Sequence, residues 1–111
     1  MKLIKKSRNL IKMQTKIKYE FTTKMWQHNA PGGWYFVSLP MVISKEIREH
    51  LKWQEEGWGR MKAAAKIGVV RWDTAIWFDT KADTYILPLK AEIRKKTNLK
   101  VDHNFQMQVW V

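Results

Sequence analysis

The side chains of this 111-residue chain that could carry acid–base chemistry are three histidines, His28, His50 and His103, and ten carboxylates. General acid–base work needs such groups to converge in a pocket with matched pKa values. His28 sits in a stretch rich in Pro and Gly, His50 adjoins an apolar helical stripe, and His103 opens the last apolar alternation. No two of them share a spacing that places both on one face, and no His-Glu-x-x-His pattern occurs. The chain contains no cysteine, which excludes a thiol nucleophile, a disulfide framework and any Cys-based zinc or iron–sulfur site. Gly32-Gly33 lacks the third glycine and the following helix of a dinucleotide or phosphate loop. These residues point to a non-enzymatic protein with no catalytic residues, metal or cofactor.

Binding chemistry is better represented. The formal charge is +11, from 21 Lys and Arg against 10 Asp and Glu. Residues 1–18 hold seven of the cations and no acid, which leaves +4 for the remainder. Residues 1–15 read as a flexible basic extension, with Met13 an alternative start, and residues 16–111 as a single folded domain. Within that domain Lys90, Arg94, Lys95 and Lys96, followed by Lys100, face only Glu92 and Asp102 as nearby acids. Such a cluster, with the tail, is a candidate contact for the phosphates of a nucleic acid or for another anionic partner; as a plain alternative it is a solvated lysine-rich helix face. There are seven tryptophans, more than a core of this size requires. Trp110 falls on the polar side of its alternation, and Trp77 and Trp110 are the candidate surface or pocket aromatics.

The elements that must position these groups follow from periodicity. Residues 16–26 alternate, with Ile17, Tyr19 and Phe21 on one side, and Trp34 to Ser38 form a second β-rich run after a Pro-Gly-Gly turn. Pro40 ends it, Ser44 is a candidate N-cap, and Ile43, Ile47 and Leu51 make one helical stripe. Alternation returns at Arg60 to Ile67, then on Trp72, Thr74, Ile76 and Phe78, and then at Thr84 to Leu87. Pro88 is placed at the start of a short second helix carrying Leu89 and Ile93. His103, Phe105, Met107, Val109 and Val111 line the inner side of the last strand. The order is ββαβ twice, with a strand–Leu-Pro–helix unit in each half. Six short, mostly antiparallel strands remove their edges by closing, so the expected fold is α+β, mostly β: a small six-stranded barrel with two capping helices.

The segments Gly33 to Pro40, Ile67-Gly68 with Trp72 to Trp77, and above all Tyr85-Ile86-Leu87-Pro88-Leu89-Lys90 with Ile93-Arg94-Lys95 resemble a bacterial family of domains of unknown function, numbered nineteen-oh-five. The resemblance covers residues 16 to 111. It implies a closed barrel of the double-split type with helical caps, and it brings no established activity or catalytic residues. Family members carry a Gly-Asp pair before the last strand, where this chain has Val101-Asp102, so a different turn is expected there. No apolar run approaches the roughly 20 residues of a membrane span. The expectation is a cytoplasmic binding or interaction module without a membrane partner.

Overall fold

The computed structural model describes residues 16–111; the basic extension 1–15 and the alternative start at Met13 lie outside the described residues. In chain order the elements are β1 (Lys18–Gln27), β2 (Tyr35–Ser38), α1 (Met41–Leu51), β3 (Arg60–Ile67), β4 (Val70–Asp79), β5 (Thr84–Pro88), α2 (Ala91–Thr97) and β6 (Asn104–Trp110), with two short 3-10 turns between α1 and β3. The strands close into a barrel in the order β1-β2-β5-β4-β3-β6, every neighbouring pair antiparallel. The predicted order and fold class are those observed.

Alternation decides which face is filled. Phe21, Met25, Val37, Met61, Ile76, Tyr85, Leu87, Met107 and Val109 point inward and are buried together. The helices add Ile47 and Leu51 from α1 and Ile93 from α2 to the same core. Each such aliphatic side chain removed from water contributes about 1.5–3 kcal/mol. Period-two burial along the strands and a one-sided stripe on each helix therefore favour one and the same arrangement.

The two halves are related by a pseudo-two-fold axis. Exchanging β1 with β4, β2 with β5 and β3 with β6 leaves the list of strand neighbours unchanged. At the axis Val37 pairs with Leu87, flanked by Phe36 with Pro88 and Ser38 with Ile86. The Leu39 N–H donates to Tyr85 O at 2.9 Å and the Leu89 N–H to Tyr35 O at 2.8 Å. Tyr35 and Tyr85, Leu39 and Leu89, and Ile43 and Ile93 each stand 50 positions apart. The Leu39-Pro40 step thus corresponds to Leu89-Lys90, and the repeat is regular here where the two Leu-Pro steps suggest unequal spacing.

Two local expectations are corrected by this register. Pro88 does not start α2; it is the last residue of β5 and faces Phe36. The bond beside that pair is made by the next residue, Leu89, so the proline ring removes nothing from the ladder. Ser44 does not cap α1, which begins at Met41 behind Pro40. It is buried inside the helix and ties α1 to β5. Its Oγ accepts the Tyr85 N–H at 3.0 Å and donates to Thr84 Oγ1 at 2.5 Å, and Thr84 Oγ1 donates to Leu39 O at 2.7 Å. Each proton in this buried chain has an acceptor. The turn before β6 puts its left-handed residue at Asp102 (φ 64), whose N–H donates to Met25 O at 3.1 Å.

Candidate binding site on the outer wall

The symmetry creates two clefts, each between the hairpin loop of one half and the helix of the other. The first, about 460 Å³, lies between the β1–β2 loop and the start of α2 and includes Gly33, Trp34, Tyr35, Lys90 and Arg94. The second, about 490 Å³, lies between the β4–β5 side and α1 and includes Met41, Val42, Lys45, Arg48, Phe78 and Asp83. In both, an arginine from the helix covers an aromatic ring: Arg94 over Tyr35 at 3.9 Å and Arg48 over Phe78 at 3.8 Å. Such stacking in partly desolvated sites contributes roughly 0.5–2 kcal/mol.

The clefts differ in charge: Asp83 lines the second and no described acid lines the first, and a segment after α1 brings a further acid to the second arginine. After α1 the chain passes through 3-10 turns at Lys52–Gln54 and Gly57–Gly59, which bring Glu55 back against the barrel. Glu55 Oε2 accepts a short hydrogen bond from the Tyr85 hydroxyl and lies 3.4 Å from Arg48 Nη1. Burial, then the Glu55 carboxylate, hold the Tyr85 hydroxyl well above its ordinary pKa, so it is a neutral donor. The arginine of the second cleft is thereby paired. Arg94 in the first cleft has no acid partner among the described residues; its Nε donates to Leu89 O at 3.1 Å.

The loop that presents Trp34 is tightly determined. The His28 N–H donates to Trp34 O, the Ala30 N–H to His28 O and the Gly33 N–H to Ala30 O, at 2.8, 2.9 and 2.8 Å. A Cβ at position 33 would lie 2.1 Å from His28 O, so only glycine closes this loop. Behind it Trp34 stacks on Phe36 at 6.3 Å between ring centroids, and Phe36 packs tilted against Trp26 at 5.0 Å. Trp26 Nε1 donates to Ser38 Oγ at 2.9 Å and fixes the end of that row. Trp34 is nevertheless 67% exposed, an aromatic ring held from one side only.

The first cleft shares Trp34, Pro88 and Lys90 with a longer groove, about 710 Å³, that runs across the outer faces of β5, β4 and β3. The groove adds Lys16, Arg60, Lys62, Trp72 and Trp77, with Asp73 as the one acid among its described lining residues. Arg60 pairs with Glu56 at 2.7 Å and lies 5.5 Å from the Trp77 ring. Lys16, Lys62 and Lys90 make no ion pair among the described residues.

The structure separates the basic residues predicted from the sequence. Lys90 and Arg94 line the first cleft, and Lys90 the groove as well. Lys95 is exposed outside both, and Lys96 is turned to Glu92 at 3.0 Å. The two aromatics also part. Trp77 is half-buried in the groove wall, whereas Trp110 is half-buried between Lys18 and Arg71, at 5.9 and 4.5 Å from its ring. His28, His50 and His103 are exposed on separate segments. Among the described residues no group of three or more His, Asp or Glu side chains could hold a metal ion. Nor is any described helix long and apolar enough to cross a membrane.

Sequence reasoning missed Trp34 as the exposed member of the row and Lys62 as its companion charge. The signal was present in Gly32-Gly33 directly before an aromatic, where a loop that tolerates no side chain delivers a ring. Glu55 carried no such signal, because its partners Arg48 and Tyr85 are set by tertiary contact.

A family model described as domain of unknown function (DUF1905) matches residues 21–109 of the chain. No curated protein matches it.

Proposed function

The chain belongs to the family described as domain of unknown function (DUF1905), and from that premise we propose that it works as a non-enzymatic binding module for an anionic partner. The partner sits on the outer wall, in the first cleft and the groove that continues it. The observation that carries this reading is the exposed Trp34 ring beside Lys90, at the junction of two depressions whose described charged lining is cationic apart from Asp73. A flat apolar ring next to unpaired ammonium groups attracts a ligand that is negatively charged and offers a face to cover the ring. The basic face of α2 takes a smaller part in this reading than the sequence suggests, since Lys96 is paired and Lys95 is remote from the groove. A cytoplasmic setting goes with it.

The test keeps total charge constant. The full chain carrying Lys62→Glu with Lys90→Glu is compared with the full chain carrying Lys95→Glu with Lys96→Glu on immobilised heparin. The groove pair is expected to elute at clearly lower salt than the helix pair. Equal elution of the two variants contradicts a site on the outer wall.

A further inference from the structure

The groove has features that narrow the class of partner, and we infer that it binds single-stranded nucleic acid, with bases stacked on Trp34 and Trp77 and phosphates on Lys62, Lys90 and Lys16. This inference rests on the anion-binding reading above and specifies its ligand. Three observations carry it. First, the two depressions meet at Trp34, Pro88 and Lys90 and form one continuous track, which suits an extended chain better than a compact ion. Second, indoles and cations line that track together: Trp34 and Lys90 where the depressions meet, Trp77 opposite Arg60, and Lys62 opposite Ala75, two residues from Trp77 along β4. A repeating polymer of flat rings and phosphates needs both kinds of group, because each base buries one face on an aromatic while its phosphate meets a cation. Third, the rings stand on rigid strands and a closed loop. Trp34 is backed by Phe36, and Trp77 lies in β4 opposite Arg60 and Ile86, so little side-chain freedom is lost on stacking.

The same observations argue against the other polyanions. In a duplex the base faces are already stacked on one another, so the Trp34 ring would find only sugar and phosphate. An acidic peptide supplies carboxylates but no regular series of rings. Asp73 and Thr74 aside, the polar side-chain groups lining the groove are ammonium, guanidinium and indole N–H groups; the cations contact phosphate without selecting among bases, so little sequence preference is expected.

The experiment is fluorescence polarisation of a labelled oligothymidine of about eight nucleotides, within the site size of small single-strand binders. Full-length protein is titrated across a salt series, beside a duplex of equal length, with heparin and polyglutamate as competitors. The single strand is expected to bind at least about tenfold more tightly than the duplex, as one or more stacked bases would give. With three lysines on phosphates, log K should fall with log salt at a slope of roughly −2, since each single-strand contact contributes about 0.7. Trp34→Ala should weaken binding about tenfold, while Trp34→Phe, which keeps a ring, should stay within about threefold; circular dichroism checks that both remain folded. If the duplex binds as well as the single strand, or Trp34→Ala binds like the parent, the inference is overturned. Heparin retention sensitive to Lys62 and Lys90 would then still uphold the anion-binding reading. Binding of the single strand that survives Lys62→Glu with Lys90→Glu overturns both, as does absence of binding to every polyanion at low salt.

Discussion

Replacing Ser44 by alanine tests how the barrel holds its first helix. Ser44 is 1% exposed, and its hydroxyl bonds two partners, the Tyr85 N–H and Thr84 Oγ1, in a buried chain that Thr84 continues to Leu39 O. Removing Oγ leaves the Tyr85 N–H without an acceptor in a place water does not reach, which costs about 1–3 kcal/mol. Thr84 keeps its bond to Leu39 O, so the loss stops at one donor. Against this, alanine gains up to about 0.5 kcal/mol in helix propensity over serine. The expected net loss is about 1.5 kcal/mol, which at a urea m-value of about 1–3 kcal/mol/M lowers the midpoint by roughly 1 M with m unchanged. Urea unfolding followed by far-ultraviolet circular dichroism measures it. Thr84→Val, combined with Ser44→Ala in a double-mutant cycle, should show a coupling of about 0.5–1.5 kcal/mol, because both groups serve the same chain. A loss below about 0.5 kcal/mol for Ser44→Ala, or additivity in the cycle, would refute the reasoning that this hydroxyl fastens α1 to β5.

Two more perturbations probe other parts of the same scaffold. Gly59 has φ +70 and a Cβ built there would lie 3.2 Å from Phe78 Cβ, so Gly59→Ala should lose about 1–3 kcal/mol; Gly57→Ala, with open space and no left-handed requirement, should stay within about 0.5 kcal/mol in the same denaturation assay. Alkaline pH should destabilise the fold from about pH 10 upward. Burial, with Glu46 adding to it, pushes the Tyr19 hydroxyl up to about 12, and burial with Glu55 holds Tyr85 higher still. The folded state therefore keeps protons that the unfolded chain releases near pH 10; stability is complete below that pH and falls as pH rises through the folded values. Tyr85→Phe should make the fall shallower in a thermal-melt series from pH 8 to 12, and an unchanged slope would contradict the assignment.

How far the sequence could be read depended on the range of each interaction. Alternation at Met61, Ala63, Ala65 and Ile67 and at Phe105, Met107 and Val109 is a local property, and the inward faces followed from it. Two similar halves of short strands called for closure, and the barrel closes with their exchange symmetry. Pro88 misled because proline suits a helix start and a strand end equally well, and only the pairing of Leu89 with Tyr35 tells them apart. Ser44 misled in the same manner, since a serine near a helix start reads as a cap until a β-strand is seen to need its oxygen. The residue types of the proposed site were legible, and the tertiary pairing that gathers them was not. Lys90 and Trp77 were named, but their companions Trp34 and Lys62 come from the β1–β2 loop and from β3, other elements of the fold. Lys95, Lys96 and Trp110 line neither depression.

The indole N–H resonances of the seven tryptophans provide the most direct test of the central claim, that the outer wall at Trp34 is the binding surface. They report from different parts of the surface: Trp34, Trp72 and Trp77 in the groove, Trp53 and Trp58 exposed beyond the end of α1, Trp110 between two cations. In a nitrogen–proton correlation spectrum of the full chain titrated with oligothymidine, the Trp34 and Trp77 signals should move first and furthest while those of Trp53 and Trp58 stay in place. Movement centred on Trp53 and Trp58, with Trp34 unaffected, would contradict the account.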